Sequence, residues 1–193
     1  TENRKGLTVH HCLHAVQGHV EQPFHDPLFL TNCEVYNADK LHSTGQNDAE
    51  QLHNYLRDNG VSSDSLARID GVYAFARYED NVLTLARDIL GVKPLWYYHG
   101  DDGFAFASEK KALLKADLDQ THIKELCPRH ILRYNTVTGE ISRQKRPFSQ
   151  ITSDQPVADE QQAIKKTADH IQDAVEKRVP DAKLGLLFSG GVD

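Results

Sequence analysis

Residues 184–193 read Leu-Gly-Leu-Leu-Phe-Ser-Gly-Gly-Val-Asp, an apolar run that meets a Ser-Gly-Gly turn and then an acid. Glycines let a backbone turn sharply and bring successive N–H groups near an anion, which is what a phosphate requires. Ser189 can add its hydroxyl. A carboxylate repels phosphate, so Asp193 suits Mg²⁺, whose preferred ligands are oxygens. No Gly-Lys-Ser/Thr follows within the chain, so this is not the usual P-loop pattern. A structural turn after a buried strand is the alternative reading of the same residues. A second group is His10, His11 and His14, which a metal site could use if further ligands joined them. The alternative there is a strand whose alternate side chains face opposite ways.

Composition narrows the classes. A net charge of −6 gives nucleic acid no general electrostatic reason to bind. No apolar stretch approaches the ~20 residues of a membrane span. Cys12, Cys33 and Cys127 fit no zinc spacing, and their odd number gives no disulfide framework. A reducing, cytoplasmic setting is the simplest expectation.

The elements that must hold these groups follow from pattern. Residues 7–16 and 28–31 are β-rich. Asn47 caps an expected helix, with Glu50 three residues on, as in a capping box. Leu52, Tyr55 and Leu56 share its apolar face, and Gly60 stops it. Residues 72–78 and 82–88 flank Glu79-Asp80-Asn81 as a hairpin. Residues 95–98 with 104–107, and 130–134 with 140–143, give two more. Ser108 is expected to cap a short helix. Arg87, Asp88 and Lys93 read as structural charges, in salt bridges or on a solvated face, with Gly91 and Pro94 setting a turn. After Pro147 comes a polar linker. Ile164, Ala168, Ile171 and Val175 then mark one face of an amphipathic helix that Pro180 ends. Residues 184–188 have the continuous apolar character of a strand buried on both faces of a parallel sheet.

Five motifs carry a resemblance. They are Asn32-Cys33-Glu34-Val35-Tyr36-Asn37, Asn47-Asp48-Ala49-Glu50, the segment Ile69–Ala76, the segment Leu85–Leu95, and the segment Phe106–Leu113. In this order, with Ser189-Gly190-Gly191-Val192-Asp193 beyond a linker, they resemble the glutamine-hydrolysing asparagine synthetases. The resemblance covers most of residues 7–193.

It implies an α+β chain. An N-terminal-nucleophile hydrolase-like αββα sandwich of two antiparallel sheets (1–147) comes first, lacking its N-terminal segment. A linker (148–158) leads to the first helix and strand of a truncated α/β ATP-pyrophosphatase domain (159–193). The implied reaction is ATP-dependent synthesis of asparagine from aspartate through β-aspartyl-AMP, with nitrogen from glutamine or ammonia. This piece alone is expected to have no synthetase activity. The implied cofactors are ATP and Mg²⁺. The implied partners are small molecules, not nucleic acid or membrane, with a homodimer allowed.

The resemblance also assigns roles. Asn32 matches the oxyanion-hole asparagine, and Cys33 stands where the family has a glycine that contributes its backbone N–H. Val16, Glu34 and Asp48 match glutamine-binding positions. Leu187, Ser189, Gly190, Gly191 and Asp193 match the pyrophosphate loop, with Asp193 as the Mg²⁺ ligand. The nucleophilic cysteine is expected upstream of Thr1. The arginine that grips the glutamine carboxylate falls at Cys12. That departure leaves open a related amide- or lactam-forming enzyme, or a regulatory module, with an inactive glutaminase domain.

Overall fold

The computed structural model describes all residues except 5–6, 13–18, 149–158, 180–182 and 192–193. The chain divides into two units, Thr1–Phe148 and Ser149–Asp193.

The first unit is organised by β4 (Leu28–Val35), β5 (Gly71–Glu79) and β6 (Val82–Arg87), paired antiparallel in that order. Asp80 and Asn81 join β5 to β6, both at positive φ (49° and 62°). That mirror-image turn matches the twist of a hairpin, and Asp and Asn tolerate it better than most residues. β10 (His130–Asn135) and β11 (Ile141–Lys145) extend the sheet beyond β6, and β3 (Phe24–His25) pairs the start of β4. The six-stranded order is β11-β10-β6-β5-β4-β3. A second sheet has the order β8-β7-β9, from β7 (Trp96–Gly100), β8 (Gly103–Ala107) and β9 (Ile123–Glu125). β1 (Glu2–Arg4) and β2 (Leu7–Val9) form a separate hairpin.

Alternation along each strand makes the layers. Leu28, Leu30, Ala74, Ala76 and Leu85 face one side and pack with Leu95, Tyr97 and Leu126, which belong to the second sheet and its flanks. Phe29, Val35, Phe75 and Ile131 face the other. They pack on Leu52, Tyr55 and Leu56 of α1 (Asp48–Asn59) and on Leu66 of α2 (Ser63–Ala67). On the far side of the second sheet, Tyr98 and Ile123 bury Leu113 of α3 (Lys110–Lys115). The result is helix, sheet, sheet, helix, as the resemblance implies. Each fully buried apolar side chain contributes about 1.5–3 kcal/mol.

Local signals account for most helix ends. The Asn47 side chain accepts from Glu50 N at 3.0 Å, and Gly60 closes α1 at φ 69°. Glu50 Oε2 reaches back to Gln46 N (2.6 Å), one residue earlier than a capping box requires. Ser108 does not cap α3. The cap residue is Glu109, which makes no side-chain cap bond. Ser108 stands one residue too early to reach the first-turn N–H groups.

In the second unit α4 (Glu160–Glu176) is capped by Asp159, which accepts from Gln161 N at 3.0 Å. Its stripe Ile164, Ile171 and Val175 is exposed. The helix ends at Lys177, whose N–H returns to Asp173 O, while Pro180 lies outside the described residues. The strand expected at 184–188 is not formed. Residues 183–191 have no regular secondary structure, and Leu184, Leu186, Leu187 and Phe188 are exposed. A parallel strand takes its hydrogen bonds and both of its covered faces from neighbouring strands, and the described residues of this unit supply none. Among the described residues no helix is long and apolar enough to cross a membrane.

Candidate active site

Asn32 and Glu34 continue the row of Leu28 and Leu30, but both are exposed, so the buried inter-sheet layer ends at Leu30. Thr31, Cys33 and Val35 face the helix side. Beyond Leu28 and Phe29, which pair β3, no described strand covers the outer edge of β4. Side chains take two of its outward N–H groups. Thr31 N donates to Gln22 Oε1 (2.8 Å), and Val35 N donates to Asp48 Oδ2 (3.2 Å). Backbone groups of an antiparallel strand alternate in direction, so the Cys33 N–H points out of the same edge between them. The preceding residue, Asn32, carries an exposed carboxamide on the adjoining face of the strand. Two neighbouring donors of this kind are what a developing oxyanion needs.

The acids are tied to the same strand end. Asp48 opens α1, where the helix dipole favours a carboxylate. Burial nevertheless raises its carboxyl above the usual range. The Val35 N–H works against that rise, and the charge of Glu34 adds to it. Glu34 Oε1 pairs with Lys93 Nζ at 2.9 Å, and Tyr36 OH donates to Glu34 Oε2 at 3.1 Å. Burial pushes the Cys33 thiol up to about 12, and the negative charges of Asp48 and Glu34 add to this against the Thr31 hydrogen bond and Lys93. A thiol held protonated is a poor nucleophile, so the backbone is what Cys33 offers.

Lys93 reaches Glu34 because its loop is fastened from below. Asp88 Oδ1 accepts from Val92 N (2.9 Å), and Oδ2 accepts from Lys93 N (3.0 Å) and Tyr73 N (3.4 Å). Arg87 Nη1 binds Glu125 Oε1 (2.6 Å) and Leu126 O (3.2 Å), while Nη2 binds Gly91 O (2.6 Å). Gly91 has φ 71°, and a Cβ there would meet that guanidinium at 3.3 Å. Arg146 closes the arrangement. Its Nη1 donates to Arg87 O (2.6 Å) and Pro128 O (3.1 Å), and its Nη2 to Tyr73 OH (3.1 Å). Arg87 and Asp88 are therefore buried structural charges, not a solvated face. Gly71 has its own constraint, since a Cβ would lie 2.4 Å from Glu34 O on the paired strand.

Not every expected residue joins this group. Val16, His14 and Asp193 lie outside the described residues. Cys12 is exposed, and His11 is partly buried, with no partner for its Nδ1 among the described residues. His10 Nδ1 bonds Thr1 Oγ1 at 2.8 Å. Among the described residues no cluster of His, Cys, Asp or Glu could hold a metal ion. Leu187, Ser189, Gly190 and Gly191 fall in the other unit on exposed chain, where Gly190 has φ 75° and Gly191 N approaches Ser189 Oγ at 3.4 Å. Sequence reasoning missed Lys93 as the partner of Glu34, and it missed Gln22 and Arg146. The Gly91–Pro94 turn was the only signal for the first, and the other two had none.

This sandwich and its exposed strand end define an amidotransferase fold. The chain matches the glutamine amidotransferase domain family over residues 8–167 and belongs to it. Its relatives include a Methanocaldococcus jannaschii protein provisionally named as a glutamine-hydrolysing asparagine synthetase, 33% identical over 85% of this chain and 34% of its own length. They also include the glutamine-hydrolysing asparagine synthetase of Sandersonia aurantiaca, 30% identical over 86% of this chain and 32% of its own. The chain thus spans about a third of the length of these curated relatives. Among solved structures, the glutamine phosphoribosylpyrophosphate amidotransferase of B. subtilis superimposes with a TM-score of 0.55 at 21% identity. That match covers 66% of this chain and 32% of the other, a likeness of fold.

Proposed function

We propose that the first unit binds glutamine and releases its amide nitrogen, and that the whole protein uses this nitrogen to convert aspartate to asparagine at the expense of ATP. The observation that carries the reading is the open edge of β4, where the Asn32 carboxamide and the Cys33 N–H adjoin Glu34 and Asp48. In this reading a thiolate upstream of Thr1 attacks the glutamine side-chain carbonyl. Asn32 and the Cys33 N–H stabilise the oxyanion, ammonia leaves, and water releases glutamate. Asp48 and Glu34 hold the substrate ammonium, which calls for ionised carboxylates. Glutamine binding therefore strengthens as pH rises through the raised Asp48 value.

ATP would supply the adenylate that activates aspartate, with Mg²⁺ offsetting the charge of the departing pyrophosphate. Ser189, Gly190 and Gly191 would hold that pyrophosphate through the hydroxyl and backbone N–H groups, and Asp193 the metal. The positive φ of Gly190 and the exposed backbone of this turn fit an anion.

The test uses the full-length protein. Asn32→Ala is expected to lower the kcat of glutamine hydrolysis by ~10²–10³-fold, the cost of losing one oxyanion donor. Aspartate-dependent formation of AMP and pyrophosphate is expected to survive when ammonia is supplied. Unchanged glutamine hydrolysis in Asn32→Ala overturns the site, and adenylation of some acid other than aspartate overturns the product. A second reading rests on Cys12, which presents no guanidinium to a glutamine carboxylate. Under it the protein uses free ammonia and hydrolyses no glutamine even with every other site residue intact.

A further inference from the structure

At the far end of β5 from Gly71, three residues stand in register across three strands: Arg77 of β5, Thr84 of β6 and Arg133 of β10. Direct cross-strand neighbours share a face, so the three side chains leave the sheet on the same side. The three line a depression of 280 Å³ together with Val61, Glu79 and Asp80. This end of the sheet is remote from Asn32 and Glu34, which pair the opposite end of β5.

Its donors are only partly used. Arg77 Nη2 pairs with Glu79 Oε2 at 2.8 Å, but Arg77 Nε is buried with no acceptor among the described residues. The Arg77 side chain is only 13% exposed. Arg133 donates from Nη2 to Val61 O (2.7 Å) and from Nη1 to Gln144 Oε1 (3.0 Å), both neutral acceptors. Among the described residues no carboxylate pairs it, and partial burial strips water from it, which holds the guanidinium below its ordinary value. Thr84 is buried, and its hydroxyl has no hydrogen bond among the described residues. Two partly buried cations with spare donors therefore face an open space.

The rim decides the class of ligand. Glu79 and Asp80 put two carboxylates beside the two guanidinium groups, so the lining carries no net charge. A phosphate dianion would be repelled by that rim. A zwitterion matches both signs. We propose that this depression binds the head group of a free α-amino acid, its carboxylate on Arg77, Thr84 and Arg133 and its ammonium on Glu79 and Asp80.

The experiment is calorimetric titration of the full-length protein with L-alanine and L-asparagine, with propionate and inorganic phosphate as probes lacking one feature each. Saturable binding of at least one of the amino acids is expected. It weakens ~tenfold or more in Thr84→Val and in Arg133→Gln, from loss of charge-assisted or hydroxyl contacts, and is unchanged in Asp48→Asn. Thr84→Val keeps the shape of a buried residue, so its result stands even if Arg133→Gln fails to fold. The proposal is overturned if neither amino acid saturates, or if propionate or phosphate binds as tightly. Binding that is lost in Asp48→Asn but kept in Thr84→Val also overturns it, because the ligand then occupies the glutamine site.

Discussion

Replacing Asp88 by asparagine tests whether the loop carrying Lys93 is held as described. The carboxylate receives three N–H groups, one on Oδ1 and two on Oδ2. Asparagine offers one oxygen and one NH₂, so one side must bring two donors face to face. The better orientation keeps the oxygen on Lys93 N and Tyr73 N and sets Nδ2 against Val92 N. One buried donor is then left unsatisfied and two hydrogen bonds lose their charge, at a cost of about 2–4 kcal/mol. That is a large share of a typical stability of about 5–15 kcal/mol. The chain has one tryptophan, Trp96 in β7, so its fluorescence during urea unfolding reports the first unit. The expected result is a lower midpoint at unchanged m. A midpoint equivalent to less than about 0.5 kcal/mol of change, the range of an ordinary surface substitution, would refute the account.

Three further outcomes follow from the same geometry. A thiol reagent applied to the native protein at neutral pH should label the exposed Cys12 and Cys127 and spare Cys33 until denaturant is added, and fast native labelling of all three would contradict the protonated Cys33. His53 is buried against Phe24, with ring centroids 4.6 Å apart, and burial, with Arg57 and Arg77 nearby, holds its imidazole below the ordinary value. The unfolded chain therefore binds a proton that the fold refuses, and stability should fall as pH drops from about 6.5 through the lowered value. His53→Phe should flatten that acid limb in midpoints measured against pH, and an unchanged slope would count against it. Gly71→Ala should destabilise the first unit by about 1–3 kcal/mol, because the added carbon must push Glu34 O aside. Gly185→Ala, with nothing within 4 Å, is the control, and equal midpoints for the two variants would remove the steric argument.

What the sequence makes legible is mostly local. The turn at Asp80-Asn81 and the Asn47 cap announce themselves within four residues, and the hairpins and α1 follow. The three-residue β9 and the five-residue α2 are too short to show a period, and neither is visible in the sequence. The apolar run at 184–188 marks a segment able to form a strand, but strand formation needs partners that local pattern cannot supply. The site divides in the same way. Period-two alternation puts Asn32 and Glu34 on one face in advance. The Glu34–Lys93 pair spans 59 residues, and the outward Cys33 N–H depends on where the sheet ends, so both become visible only when the strands are assembled.

Arg146 has a consequence for the order of events during synthesis. A chain leaving the ribosome from its N-terminus can pair β4, β5 and β6 long before this residue exists, since domains fold as their sequence emerges. Yet Arg146 joins Arg87 O, Pro128 O and the Tyr73 hydroxyl, groups drawn from three separate stretches. The floor beneath the Lys93 loop is therefore bolted down last, by nearly the final residue of the first unit. A nascent chain stalled before residue 146 would therefore lack the bonds that fasten this loop from below.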